Sequence, residues 1–272
     1  MLASFRHLSR FALCFTLSLA SASAVEIIAH RGASADAPEN SLSAMKLAWE
    51  QKADSIELDL WLSKDGKILV FHDSDTKRIG GVDRKITDYT LEEGRKIDVG
   101  SWKDPKFKGE LMPSLESILD TIPEGKRAVI ELKSGPEIAP ELARVLKASK
   151  KPASQLSVIS FKFDGLVASK KLLPELEHYF LHDYKKDPKT GEFPALAPLI
   201  EKTKAAGFTG LDLQFKWPID EKFVADVKAA GLKLIVWTVD DAEVARKMAA
   251  LGVDGITTNK PAYLREQLQQ GK

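Results

Sequence analysis

Short apolar and β-branched segments alternate with segments of helical periodicity along most of this 272-residue chain. Such alternation indicates βα units and a parallel sheet. Several helical segments end at a glycine, as expected where a helix terminates. Nine strands are predicted, at residues 25–30, 55–60, 67–72, 127–132, 156–161, 177–182, 209–214, 233–239 and 254–259.

One connection is too short for a parallel pair. Residues 63–67, SKDGK, join the second and third strands, whereas a parallel crossover needs about a dozen residues. These two strands should therefore be antiparallel. A two-residue turn at Asp65 and Gly66 would then place Asp59 opposite His72.

With the third strand outside the parallel set, eight parallel strands remain and predict an α/β fold, a (β/α)8 TIM barrel. We expect residues 25–272 to form this single domain, with a small insertion after the second barrel strand at about residues 66–112. The length fits one large barrel, and no Pro/Gly-rich linker divides it.

The first 24 residues have the layout of a secretory signal peptide. Arg6 and Arg10 precede the apolar run FALCFTLSLA, and small residues follow up to Ala24. This run is shorter than the roughly 20 residues that span a bilayer, so no stable membrane anchor is expected in the mature form. We expect an exported protein, periplasmic or secreted. Cys14, the only cysteine, would leave with the signal peptide.

The charge of the mature chain is almost balanced. Without the signal segment, 38 Lys and Arg face 39 Asp and Glu. This balance argues against a general surface for nucleic acid or anionic membranes. A small-molecule partner is expected, and the sequence predicts no particular oligomeric state.

Three carboxylates fall on neighbouring barrel strands. Glu57 and Asp59 are two residues apart and share a face of the second strand, and Glu131 has the same setting on the next barrel strand. Active sites of TIM barrels lie at the carboxyl ends of the strands. Neighbouring carboxylates repel one another unless a cation joins them. A divalent metal ion, Mg2+ or Ca2+, is therefore the expected cofactor.

Cationic and histidine side chains are expected beside these carboxylates. Arg31 and Lys133 would add positive charge suited to a phosphate. His30 and His72 titrate near physiological pH. Together with a metal, they predict phosphodiester hydrolysis in which one histidine is the general base and the other the general acid. The pattern leaves these two roles unassigned.

The motifs that carry these residues resemble the glycerophosphodiester phosphodiesterase family. The matching segments are AHRG, APENS, IELDLWLSKDGKILVFHD, IELK, VWTVD and GITTNKP, in that family's order and over nearly all of the mature chain. The resemblance implies a (β/α)8 barrel with a small insertion. It also implies hydrolysis of glycerophosphodiesters to sn-glycerol 3-phosphate and an alcohol.

Carried over by position, the resemblance implies a role for each site residue. The implied catalytic pair is His30 and His72, the implied metal ligands are Glu57, Asp59 and Glu131, and the implied substrate contacts are Arg31 and Lys133 to the phosphate and Trp237 to the glycerol.

Some positions depart from the family pattern. Ser41 stands where threonine is usual and keeps an N-cap hydroxyl. Asp240 stands where asparagine is common, which changes local hydrogen bonding. Glu39 and Asn40 are expected to cap or brace the first helix. The insertion beyond His72 follows the family only loosely, so the resemblance implies no leaving-group specificity.

Two other functions fit the same residues. A phospholipase D-like enzyme acting on lysophospholipids would use the same phosphate chemistry and would need an apolar groove for an acyl chain. A non-catalytic protein that binds glycerophosphodiesters would need neither turnover nor a nucleophile. For glycerophosphodiester hydrolysis, the nucleophile is water or the neighbouring glycerol hydroxyl. Attack by the hydroxyl would pass through a cyclic phosphate.

Overall fold

The computed structural model describes residues 25–270. The predicted signal peptide, residues 1–24, therefore lies outside the described residues. All nine predicted strands are present. They are β1 (Glu26–Ala29), β2 (Ser55–Leu62), β3 (Ile68–Val70), β4 (Arg127–Leu132), β5 (Leu156–Ser160), β6 (Glu177–His182), β7 (Gly210–Gln214), β8 (Lys233–Trp237) and β9 (Gly255–Thr258).

Helices occupy most of the connections between these strands. Ser41 begins the first of them, because its side chain accepts a hydrogen bond from the Ala44 amide, as predicted for an N-cap hydroxyl. The helices are α1 (Leu42–Glu50), α2 (Lys77–Gly80), α3 (Leu91–Gly94), α4 (Leu115–Leu119), α5 (Ala139–Ser149), α6 (Phe163–Leu172), α7 (Leu196–Ala205), α8 (Glu221–Ala229), α9 (Ala242–Leu251) and α10 (Pro261–Gln270).

Eight parallel strands close into a barrel in the order β1-β2-β4-β5-β6-β7-β8-β9, and β9 pairs with β1. The predicted (β/α)8 fold is therefore confirmed. Alternate residues of each strand face opposite sides, as the pleat requires. On β2, Ile56 and Leu58 join the large core beneath the helices, while Glu57 lines a pocket inside the barrel.

The predicted register of the β2–β3 hairpin was wrong by one residue. The strands are antiparallel as expected, but the loop has three residues, 64–66, and Gly66 adopts φ 71°. Three-residue hairpin loops typically have a glycine in the left-handed conformation, and Gly66 occupies that position here. Phe71 therefore faces Asp59, and its amide donates to the Asp59 carbonyl at 3.1 Å. His72 lies beyond the end of β3.

Strand β3 and the segment between β3 and α4 share a separate hydrophobic cluster. Its buried members are Leu69, Phe71, Ile79, Ile86, Tyr89, Val99 and Met112. A smaller apolar cluster fills the barrel interior and is formed by Ile28, Val129, Ile159, Tyr179, Leu181 and Ile235. The helices within residues 25–270 are all too short or too polar to cross a membrane.

Candidate active site

A pocket of about 140 Å3 opens inside the barrel at the carboxyl ends of the strands. It brings together residues that are far apart in the sequence. Seven of the eight predicted site residues line it: His30, Arg31, Glu57, His72, Glu131, Lys133 and Trp237. The eighth, Asp59, is fully buried and forms ion pairs with two of these residues, Arg31 and Lys133.

The three predicted metal ligands form one compact cluster. One carboxylate oxygen each from Glu57, Asp59 and Glu131 lies within 4.8 Å of the other two. Burial and the neighbouring carboxylates raise the pKa of Glu57 well above its usual range and that of Glu131 to about 8. Among the described residues, the nearest cation to both Asp59 Oδ1 and Glu131 Oε1 is the Lys133 ammonium, at 3.1 and 2.8 Å. Three buried carboxylates at this spacing fit a hard divalent cation.

The Asp59 carboxylate is held by three partners. Asn40 Nδ2 donates to Oδ2 at 2.7 Å, and Asn40 Oδ1 accepts from the Asp59 amide at 3.2 Å. Lys133 Nζ lies 3.1 Å from Oδ1, and Arg31 Nε lies 3.3 Å from Oδ2. Although burial alone would raise the pKa of Asp59, the charges of Lys133 and Arg31 hold it below its usual range.

Arg31 sits on a tight turn directly after β1. Its backbone has φ 54°, and its amide donates to Glu57 Oε2 at 2.9 Å. Such left-handed conformations in non-glycine residues concentrate at functional sites. At Gly32, φ is 80° and a Cβ atom would lie 2.5 Å from the Ala44 carbonyl carbon, so this position requires glycine. The turn therefore points the Arg31 amide at Glu57, one of the predicted metal ligands.

Glu39 and Asn40 were expected to cap or brace the first helix, and the capping role was wrong. Ser41 is the N-cap, and both preceding side chains reach the site instead. Glu39 Oε1 accepts a hydrogen bond from Arg31 Nη1 at 2.9 Å, while Asn40 holds Asp59. Asn40 also has a left-handed backbone, with φ 57°.

His72 is linked to the insertion by a chain of charged groups. Its Nδ1 lies 2.7 Å from Asp73 Oδ1, and Asp73 Oδ2 accepts from Arg78 Nε at 2.7 Å. The same arginine donates from Nη1 and Nη2 to Glu39 at 3.0 and 2.7 Å. Arg78 therefore joins the partner of His72 to the partner of Arg31. Burial lowers the pKa of His72, partly offset by Asp59.

His30 is held by the segment that follows β9. Its Nδ1 lies 2.7 Å from Asn259 Oδ1, and Asn259 Nδ2 donates to Asp240 Oδ2 at 2.6 Å. Ser34 Oγ also donates to Asn259 Oδ1, at 2.8 Å. Burial, reinforced by the Arg31 charge, lowers the pKa of His30 to about 4. His30 is therefore neutral at physiological pH.

Lys133 and Trp237 complete the predicted set. Lys133 Nζ lies 2.8 Å from Glu131 Oε1. Trp237 is half-buried, its ring Nε1 donates to the Asp212 carbonyl at 3.2 Å, and its ring meets Phe161 edge-on at 5.5 Å between centroids. The tryptophan thus forms an apolar part of the pocket wall.

A second, open cleft of about 670 Å3 adjoins the pocket. It shares His72 and Lys133 with the pocket, so these two residues separate an inner from an outer space. The remaining lining is polar or charged apart from one aromatic ring. It consists of Trp61, Asp73, Ser74, Asp75, Lys77 and Arg78.

Several functional residues were missed from the sequence. Asn259 and Asp240 stand in the motifs GITTNKP and VWTVD, but the chain of hydrogen bonds from Asp240 through Asn259 to His30 depends on how two loops meet. Arg78 lies in the loosely matching insertion. Asp212, which also lines the pocket, could have been found from the alternation in GLDLQ, which turns it inward between two core leucines.

Comparison with known proteins matches residues 30–263 to the glycerophosphoryl diester phosphodiesterase family. A glycerophosphodiester phosphodiesterase from Caldanaerobacter subterraneus is 35% identical over 251 residues, which cover 90% of this chain and 98% of the relative.

Solved structures show the same similarity. A phosphodiesterase from Oleispira antarctica, in complex with the product sn-glycerol 3-phosphate, superimposes with a TM-score of 0.80 at 29% identity and covers 90% of this chain and 97% of its own. A glycerophosphodiester phosphodiesterase from Parabacteroides distasonis gives a TM-score of 0.74 at 30% identity, with 91% and 98% covered.

Proposed function

Since the chain belongs to the glycerophosphoryl diester phosphodiesterase family, we propose that it hydrolyses glycerophosphodiesters to sn-glycerol 3-phosphate and an alcohol by metal-assisted acid–base catalysis. The observation that carries this proposal is the pocket itself, where three buried carboxylates, two cations and two histidines surround one space. The Oleispira antarctica structure, solved with sn-glycerol 3-phosphate as product, supports the assignment of the product.

Glu57, Asp59 and Glu131 would hold the divalent ion, Ca2+ or Mg2+. When bound there, the ion would supply a Lewis acid that polarises the phosphoryl oxygens. The protein contributes the orientation of these ligands. Asn40 fixes the Asp59 carboxylate through two hydrogen bonds, and the Arg31 amide fixes one oxygen of Glu57.

Arg31 and Lys133 would stabilise the negative charge that develops on the phosphoryl group. Both lie at the pocket wall beside the carboxylate cluster. Their ion pairs with Asp59 keep both head groups in place before substrate arrives. Preorganised donors of this kind cost little reorganisation during the reaction.

The position of each histidine supports a separate role. His30 lines the inner pocket, where the glycerol moiety would lie against Trp237. Its Nε2 would take the proton from the attacking oxygen, which belongs to water or to a glycerol hydroxyl. His72 lies between the inner pocket and the outer cleft. It would give a proton to the alcohol as this group leaves toward the cleft.

The lining of the outer cleft supports a short, polar leaving alcohol. Its walls carry both negatively and positively charged side chains, including Asp75, Lys77 and Arg78. An acyl chain would need an apolar groove at this position. We therefore favour glycerophosphodiesters such as glycerophosphocholine over lysophospholipids.

We also propose export of the protein, based on the signal-like segment at residues 1–24. Mass spectrometry of protein expressed in a host with two membranes would test this proposal. A periplasmic chain that starts at Val25 is expected, and a full-length cytoplasmic chain would contradict it.

The decisive experiment measures release of sn-glycerol 3-phosphate from glycerophosphocholine with Ca2+, Mg2+ or EDTA. Release should require one of the ions and should fall by at least about 100-fold in His30→Ala and His72→Ala. His182→Ala is the matched control, because His182 is a half-buried histidine at the end of β6. It should retain activity.

Two outcomes would contradict the proposal. Tight binding of glycerophosphocholine without turnover by folded, metal-loaded protein would favour a binding protein. Faster turnover of lysophosphatidylcholine would favour the phospholipase D-like alternative.

A further inference from the structure

Asp212 lies on β7, where its side chain points into the barrel. Parallel pairing sets it beside Leu181 of β6 and Ile235 of β8, two members of the inner apolar cluster. Leu211 and Leu213, on either side along the strand, belong to the large core beneath the helices. Asp212 is only 1% exposed, yet it lines the active-site pocket.

The Asp212 carboxyl group lacks the partners that a structural role would supply. Its Oδ1 atom makes no hydrogen bond with any other residue in the range 25–270. Burial, reinforced by the negative charge of Glu131, raises the pKa of Asp212 well above its usual range. Burying an unpartnered polar group destabilises the fold, so stability does not explain this residue. A ligand would explain it.

We propose that the Asp212 carboxyl group binds a hydroxyl group of the glycerol moiety of the substrate. This inference rests on the proposed function. The wall around Asp212 is otherwise apolar, formed by Leu181, Phe161 and the ring of Trp237. An oxygen of this carboxyl group can accept a hydrogen bond from a hydroxyl in either protonation state. The opposite wall, with Arg31 and the acidic cluster, would hold the phosphate.

The position of Asp212 gives it a role in specificity. A pocket that hydrogen-bonds a substrate hydroxyl discriminates strongly against molecules that lack it, because the buried polar group is then left unpaired. Asp212 would select phosphodiesters that carry a glycerol over other phosphodiesters of similar charge.

The test compares glycerophosphocholine with bis(4-nitrophenyl) phosphate, a phosphodiester without glycerol, in Asp212→Leu and Asp212→Asn. The ratio of kcat/KM for the first substrate to that for the second should fall at least tenfold in Asp212→Leu. It should fall less in Asp212→Asn, because the amide still forms hydrogen bonds. Asp226→Leu, an exposed position on α8, is the control and should keep the wild-type ratio.

Thermal unfolding separates this role from a structural one. The Tm of Asp212→Leu should equal or exceed that of the wild type, because the substitution replaces an unpaired buried carboxyl group with an apolar side chain of similar size. A ratio that stays at the wild-type value would overturn the proposal. So would a loss of Mg2+ or Ca2+ affinity in Asp212→Leu, which would assign the residue to the metal site.

Failure of the proposed Asp212 role can be distinguished from failure of the proposed hydrolytic function. If the wild type turns over neither substrate, the proposed function fails. Calorimetry with sn-glycerol 3-phosphate and inorganic phosphate then tests Asp212 by itself. A tenfold loss of preference for sn-glycerol 3-phosphate in Asp212→Leu supports the role, and an unchanged preference refutes it.

Discussion

The Oδ1 atom of Asn259 lies 2.7 Å from the Nδ1 atom of His30. The amide of Asn259 cannot be reversed without loss, because its Nδ2 donates to the Asp240 carboxylate at 2.6 Å. The carbonyl oxygen therefore faces the histidine, and Nδ1 must be the protonated ring nitrogen. This leaves Nε2 unprotonated and able to act as a base. Asp240 thus sets the tautomer of His30 through Asn259.

Replacing Asn259 with leucine should lower kcat about 100-fold while the protein stays folded, because the acceptor that selects the His30 tautomer is lost. Steady-state kinetics with glycerophosphocholine would measure this change. The double variant with His30→Ala is the control. It should be no slower than His30→Ala alone, since Asn259 acts through that ring. An additional loss in the double variant would show that Asn259 acts elsewhere.

Metal binding should release protons at pH 7. In the metal-free protein the pKa of Glu131 is about 8 and that of Glu57 is raised well above its usual range. Glu131 is therefore largely protonated at pH 7, and the ion must displace its proton. Affinity should rise as pH increases from 6 toward 8. Calorimetry in two buffers of different ionisation enthalpy would count the protons released.

Glu131→Gln should release fewer protons on metal binding and bind the ion more weakly. Glu201→Gln, an exposed position on α7, is the control and should match the wild type. Metal binding without any proton release at pH 7 would show that the carboxylates are already ionised without the ion.

Arg78→Met should lower kcat/KM about tenfold or more. The arginine holds Asp73, the partner of His72, and Glu39, the partner of Arg31. Its loss leaves both carboxylates free to move, which misplaces the two groups they orient. The loss should appear in kcat, and the pH profile of kcat should shift because the Asp73 carboxylate beside His72 is no longer fixed.

Arg84→Met is the matched control in the same insertion. Arg84 pairs with Glu93 at 3.2 Å and lies over the Tyr89 ring at 3.9 Å from its centroid. It resembles Arg78 in chemistry, but within residues 25–270 it pairs with neither Asp73 nor Glu39. Its activity should remain within twofold of the wild type. Equal losses in the two variants would mean that the insertion affects catalysis only by folding.

His178 should make the fold sensitive to acid. It is fully buried, with Nε2 3.0 Å from Ser169 Oγ and Nδ1 3.0 Å from the Leu176 carbonyl, and burial lowers its pKa to about 4. Because the unfolded chain binds the proton more tightly, this stability is complete above pH 6.5 and is lost as pH falls toward 4. The loss is about 3 kcal/mol for a shift of this size.

Urea unfolding at several pH values would measure this effect in the wild type and in His178→Gln. The variant should be less stable at pH 7 but should lose less stability between pH 6.5 and 4. An equal loss in both proteins would assign the acid sensitivity to other groups, of which His30 is the first candidate, since its pKa is also lowered to about 4.

Periodicity was sufficient to predict the strands and the barrel, because a closed parallel sheet repeats the same local pattern in every unit. The same logic predicted the site, since residues at the carboxyl ends of neighbouring strands must meet. The hairpin register was not predictable to one residue, because a two-residue and a three-residue loop both use the Asp65-Gly66 pair.

The partners of the site residues could not be predicted in this way. His30 and Asn259 are separated by 229 positions, and their contact depends on the paths of two loops that have no periodic pattern. Glu39 was expected to serve its own helix, because a polar residue before a helix usually does. Glu39 instead pairs with Arg31 and with Arg78, and Arg78 lies in the insertion.

The wall of the outer cleft is built largely by a segment with its own hydrophobic cluster, whereas the predicted metal ligands and phosphate contacts belong to the barrel. Substitutions in that segment can therefore reshape the cleft while the barrel strands stay unchanged. Under the proposed function, this modular layout would let one alcohol be exchanged for another without reinventing the phosphate chemistry.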